Sequence, residues 1–197
     1  MSQRQPIDRQ RRSLLALPLA CGALTDASLA RSAPPPSPPP PEVRSELPGA
    51  RLLGSGRLTY YLFHVYDARL WAGPGFDAAR FDQMPLALEL DYARSFDNTD
   101  IAERSIEEMR RSGPIPPEKA TRWMSAMKQA FPNMAEGDRT TGVQVPGVAT
   151  RYFVNGKFTG EVRDAEFTRL FFGIWLSPRT SEPGLRKALL AGAPNGS

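Results

Sequence analysis

His64 is the single histidine of the 197-residue chain, and it bounds the chemistry more tightly than any other residue. A site with two or more histidine ligands is excluded, which argues against a zinc hydrolase. On a cleft wall, one imidazole can donate a hydrogen bond or act as acid or base near neutral pH. Inside a strand, its plainer role is that of a half-buried, hydrogen-bonded structural residue. Serine hydrolysis would need His64 with a serine and an acid, yet the sequence holds no GxSxG elbow. Gly54-Ser55-Gly56 has no Walker or dinucleotide continuation and reads as a bend where a sheet starts. Glu89 and Asp91 are read as pointing to opposite faces, which excludes a carboxylate dyad. Glu103, Glu107 and Glu108 lie among Arg104, Arg110 and Arg111, the pattern of a solvated helix face. No metal site and no cofactor motif emerges.

The elements that must position these groups are marked by periodicity and turn chemistry. From Leu58 to Trp71 aromatic and β-branched residues dominate, which predicts one or two strands with a tight turn near Tyr60 to Leu62. Alternation places His64, Tyr66, Ala68 and Leu70 on one face and Val65, Asp67, Arg69 and Trp71 on the other. Pro85 to Tyr92 alternates leucine with smaller or polar residues, as a strand with one wet face does. Two helices follow. The first starts at Asn98 or Thr99, carries Ala102, Ile106 and Met109, and stops at Gly113-Pro114. The second opens on Pro116-Pro117 and buries Ala120, Trp123, Met127 and Phe131. Thr140 to Val145, Ala149 to Val154 and Lys157 to Val162 read as strands, the last two joined through Asn155-Gly156, a type I′ turn pair. Asp164 is placed to cap a helix with almost no polar face, in which Phe167, Leu170, Phe171 and Ile174 recur at helical spacing while Phe172 and Trp175 fill the flanks. A last helix runs from Pro183 to Leu190.

The N-terminus speaks to location. Arg9, Arg11 and Arg12 precede an apolar run from Leu14 to Leu24, and Ser28-Leu29-Ala30 supplies small residues for a signal-peptidase site. Residues 1–30 are therefore expected to be a signal peptide and the protein periplasmic. A lipoprotein at Cys21 is the lesser alternative, because Pro18-Leu19-Ala20 makes a poor lipobox. That apolar run is too short for the ~20 residues of a membrane span, and no membrane-spanning segment is expected in the mature chain. The rest of the sequence has no cysteine, so disulfides, thiolate nucleophiles and Cys-ligated metals are excluded there. The expected signal carries Arg4, Arg9, Arg11 and Arg12 against Asp8 and Asp26, so the +4 net charge of the chain falls to +2 without it and nucleic acid is not an expected partner. Ala33 to Pro41 has seven prolines in nine residues, the composition of a stiff polyproline II spacer. The expected division is a linker over 31–46, a folded domain over 47–192 and a tail over 193–197.

The hairpin and helix from Tyr152 to Pro183, read with Gly54 to Trp71, resemble the bacterial branch of the chalcone isomerase-like family over roughly Leu52 to Leu190. That resemblance implies an α+β fold, an open-faced β-sandwich whose large antiparallel sheet is covered on one side by helices with a cleft between. It does not choose among plant flavonoid cyclases, fatty-acid-binding proteins and members without known catalysis. The plant enzymes carry a glycine-rich segment ending in a catalytic arginine, which Gly54-Ser55-Gly56-Arg57 resembles with a shorter connection to the next strand. The family's threonine position falls on His64, a departure from the catalytic pattern.

Three readings follow. The first is a non-catalytic binder of a small apolar or anionic ligand such as a fatty acid or flavonoid-like aromatic, with Arg57 pairing a carboxylate or phenolate and His64 and Tyr66 supplying polar contacts. The second is a cofactor-free intramolecular lyase acting on an enone, with Arg57 beside the developing enolate. The third is a tethered structural or interaction domain.

Overall fold

The computed structural model describes residues 38–194. The expected signal peptide, Cys21 and the first three prolines of the run lie outside them. Six strands form one antiparallel meander in the order β1 to β6: β1 Arg51–Tyr60, β2 Phe63–Ala72, β3 Leu86–Tyr92, β4 Arg139–Val145, β5 Ala149–Val154 and β6 Lys157–Val162. Each strand pairs with its sequence neighbour, so the sheet needs only hairpins, a longer β2–β3 connection carrying the 3-10 turns Ala78–Gln83, and one helical excursion between β3 and β4. Helices α2 (Asn98–Met109), α3 (Pro117–Ala130), α4 (Ala165–Leu176) and α5 (Pro183–Leu189) supply the second layer. Among the described residues no helix is long and apolar enough to cross a membrane.

The core lies between this helical layer and one sheet face. Leu70, Leu86, Leu88 and Tyr152 project from the strands and meet Ile106 and Met109 of α2, Trp123 and Met127 of α3, and Phe167 and Phe172 of α4. Asp164 caps α4 as its position implies, accepting hydrogen bonds from the Glu166 and Phe167 amides, both at 3.0 Å. Its other oxygen accepts from Trp123 Nε1 at 2.8 Å, which ties α4 to α3.

The glycines of the Gly54-Ser55-Gly56 segment serve close packing. A Cβ on Gly54 would fall 2.1 Å from the Ala188 carbonyl oxygen, and one on Gly56 would fall 2.7 Å from Leu185 Cδ1, so the pair leaves room for α5 to lie on β1.

The folded body extends past both expected boundaries. Pro41–Glu46 forms a short helix, α1, on the otherwise open sheet face, where Val43 and Leu47 pack with Trp71, Ala87, Val143 and Phe153. Glu42, buried, receives the Thr141 hydroxyl at 2.8 Å and lies 3.0 Å from Arg139, while Glu46 pairs with Arg151 at 2.5 Å. Composition favoured a spacer up to residue 46; proline at the first helical position and a buried apolar contact instead nucleate a helix there. At the other end Ala193 belongs to the main core.

Candidate functional site

The candidate site is a cavity of about 510 Å³ between the sheet and the helices. Its floor is made by small or bulged positions of the sheet. Gly142 and Thr140 of β4 leave space beneath α4, and Val65 of β2 adds an apolar wall. Val65 is the extra residue of a β-bulge, since Leu58 pairs with Tyr66 while Thr59 pairs with His64. Leu88, Leu90, Phe131, Phe171 and Ile174 supply most of the remaining apolar surface.

Among the described residues four tyrosines line this cavity, Tyr60 at its rim and Tyr66, Tyr92 and Tyr152 deeper in. Tyr66 accepts a hydrogen bond from Trp175 Nε1 at 2.9 Å, which leaves its own proton free to donate. Burial pushes the pKa of Tyr66 upward against the opposing hydrogen bond from Trp175, and burial does the same for Tyr92 and Tyr152. All three phenols are therefore neutral at physiological pH. The buried Tyr152 hydroxyl has no hydrogen-bond partner within the described residues, although its ring is held edge-on by Phe131 and Phe171 at 5.3 and 5.5 Å.

The charged part of the lining comes from α2 and from Glu182. Ile101, Arg104, Ser105 and Glu108 follow helical spacing and present one stripe to the cavity. Arg104 is already engaged: one guanidinium nitrogen donates to Glu107 at 2.8 Å and another lies 2.5 Å from Glu108. Glu108 is only 8% exposed, so this part of α2 is not the solvated face its composition suggested.

Of the three residues singled out from sequence, only Tyr66 reaches the cavity. The bulge at Val65 shifts the alternation by one, so His64 lies on the outer face, its Nε2 3.3 Å from Asp67. Arg57 stands opposite Asp67 on that same face and donates to it from Nε at 2.9 Å. The hydrogen bond from Arg57 holds the Asp67 carboxyl below its usual range. The expected grouping of Arg57, His64 and Tyr66 around one ligand is thus corrected: two of the three point away from it. Glu89 and Asp91 also share the outer face, where Arg69 bridges them and Trp71 Nε1 donates to Glu89 at 2.7 Å. Residues two apart in a strand lie on one side, which the opposite-face expectation overlooked.

Comparison with known proteins agrees with this architecture. A chain from Haemophilus influenzae, described as an uncharacterized protein, is 27% identical over 139 residues, covering 70% of this chain and 66% of that protein. The chain thus spans just under two thirds of that relative. The crystal structure of an Arabidopsis thaliana fatty-acid binding protein superposes with a TM-score of 0.57 at 13% identity, covering 73% of this chain and 87% of the plant protein. At that identity the likeness is one of fold. The family model for chalcone isomerase-like proteins matches residues 50–191, the whole sheet and all four helices of the covering layer, and the chain belongs to the chalcone isomerase-like family.

Proposed function

We propose that this protein binds a small apolar molecule in the cavity between sheet and helices, and that the ligand carries an uncharged polar group. The observation that carries the reading is the cavity itself: about 510 Å³, walled chiefly by aliphatic and aromatic side chains. That is within the roughly 300–1,000 Å³ of small-molecule sites. The fatty-acid binding named for the plant neighbour supports a ligand of acyl-chain or aromatic character. The neutral Tyr66 hydroxyl, whose proton is free to donate, provides the polar contact. Arg104, the one arginine on the wall, is held by two carboxylates, so a ligand carboxylate would have to displace one of them. The enone-cyclisation alternative relied on Arg57 beside the developing enolate, and Arg57 faces outward beside Asp67. The binder reading keeps Tyr66 and the apolar cavity and loses Arg57 and His64, whereas the cyclase reading loses the one residue it relied on.

The test uses Trp175, which alone of the three tryptophans lines the cavity. Its fluorescence is titrated with decanol, methyl decanoate and decanoate, which share a chain and differ in the head. Saturable binding with decanol tighter than decanoate is expected. Decanoate binding most tightly would overturn the uncharged-head reading, and no saturable change with any probe would overturn the binder reading. Export to the periplasm is proposed from the sequence of residues 1–30, and N-terminal sequencing of secreted protein that begins at Met1 would refute it.

A further inference from the structure

The tip of the β1–β2 hairpin is Tyr60-Tyr61-Leu62-Phe63, exposed by 57, 79, 97 and 59%. The turn is a two-residue one with positive φ at both central positions, 45° at Tyr61 and 70° at Leu62. The β5–β6 hairpin makes the same kind of turn with Asn155 at 48° and Gly156 at 81°, the residue types that adopt this backbone most readily. Bulky side chains in the left-handed region are strained. Tyr61 and Leu62 therefore stand at a position where they oppose the turn, and their exposure leaves little packing in return. Their benefit must lie outside the chain.

Two features decide what meets them. The first is charge. The exposed Arg94 places its guanidinium 4.8 Å from the centre of the Phe63 ring and forms no ion pair among the described residues. The next charges along the hairpin, Arg57 and Asp67, neutralise each other. A convex apolar tip beside a free cation matches the boundary of a bilayer, where tyrosine rings sit at headgroup level and arginine meets phosphate. The second is position. Tyr60 and Val65, which flank the tip, both line the cavity, so the tip stands on the cavity rim.

We propose that the β1–β2 tip inserts Tyr61, Leu62 and Phe63 into the interface of a bilayer with anionic headgroups, holding the cavity rim at the surface that supplies the apolar ligand. The supply of ligand rests on the binder reading; the bilayer contact does not. The experiment is co-flotation of the purified protein with vesicles of phosphatidylethanolamine and phosphatidylglycerol, compared with phosphatidylcholine alone. The double variant Tyr61→Asn/Leu62→Gly installs the turn chemistry of the other hairpin, so its melting temperature should hold or rise while its vesicle partitioning falls at least about tenfold. Arg94→Gln should weaken partitioning on the anionic vesicles only. Equal flotation of wild type and double variant, or no flotation of either, would overturn the proposal. So would a dimer seen by analytical ultracentrifugation that the double variant abolishes, since the tip would then be an interface between copies. Decanol titration without vesicles separates the two claims: flotation with no decanol binding removes the ligand reading and leaves the bilayer contact standing.

Discussion

Replacing Tyr152 by Phe should stabilise the protein and leave its ligand affinity nearly unchanged. The substitution removes one oxygen and leaves the ring, whose edge contacts with Phe131 and Phe171 do not involve the hydroxyl. The hydroxyl is buried and without a protein partner, a condition that costs about 1–3 kcal/mol. Relaxation of the surrounding side chains offsets part of that cost, so a gain of about 1 kcal/mol is expected on Tyr152→Phe. For a domain of this size that corresponds to a rise of roughly 2–4 °C in melting temperature. Because the hydroxyl is closed off from the cavity, its loss forfeits no contact with the ligand, and the dissociation constant for decanol should stay within about twofold. Calorimetry of the free protein and fluorescence titration of both forms supply the two numbers. A loss of stability beyond about 0.5 kcal/mol would mean that the hydroxyl already has a partner, and a dissociation constant raised about five- to tenfold would mean that it reaches the ligand after all.

Further outcomes follow from the same geometry. Arg57→Ala and His64→Gln should leave decanol affinity unchanged within error, because both side chains face outward beside Asp67; a clear loss in either titration would contradict the placement. Asp164→Ala removes the α4 cap and the partner of Trp123 and should cost about 1–2 kcal/mol at pH 7 by urea unfolding. Burial pushes the Asp164 carboxyl up, but hydrogen bonds from Phe167, Trp123 and Glu166 outweigh it and hold the pKa below the usual value. Its contribution is therefore fully present above the unfolded pKa of about 4 and is lost as pH falls through the lower folded value, so the gap between wild type and Asp164→Asn should close in acid. A gap independent of pH would refute that linkage. Gly54→Ala would drive a methyl group onto the Ala188 and Leu189 backbone and should destabilise by about 1–3 kcal/mol in the same assay; neutrality would mean that α5 does not lie against β1. Glu42→Ala leaves Arg139 with only the longer 3.8 Å approach to buried Glu89, and a loss of about 2–4 kcal/mol is expected, with red-shifted emission from Trp71 if α1 lifts away.

Much of the fold was legible because its signals are local. Alternation in β3 to β6, the Asn155-Gly156 turn, the prolines opening α3 and α5, and the Asp164 cap each carry their meaning within a few residues. The site was less legible because it depends on register. One extra residue at Val65 moves His64 to the opposite face, and nothing in the aromatic and β-branched run around it marks a bulge. The Gly54-Ser55-Gly56 segment was visible, but its reason, the approach of α5, is a contact more than a hundred residues away in sequence. Arg104 and Glu108 were hidden by composition, since a helix rich in charges reads as solvated. The available signal was their spacing with Ile101 and Ser105, a second stripe beside the apolar one. In α1 the prolines pointed to a spacer, while the burial of Val43 and the ion pair of Glu42 are long-range properties.

The most direct measurement of the central claim is paired native and denaturing mass spectrometry of the protein purified without organic solvent, with decanol added to a second sample. The account predicts a stoichiometric small molecule, uncharged at its polar end, that leaves on denaturation or is displaced by decanol. A native mass equal to the bare chain in both samples would contradict it, because a cavity of about 510 Å³ with an apolar wall would then bind neither a cellular molecule nor the simplest ligand of the proposed class.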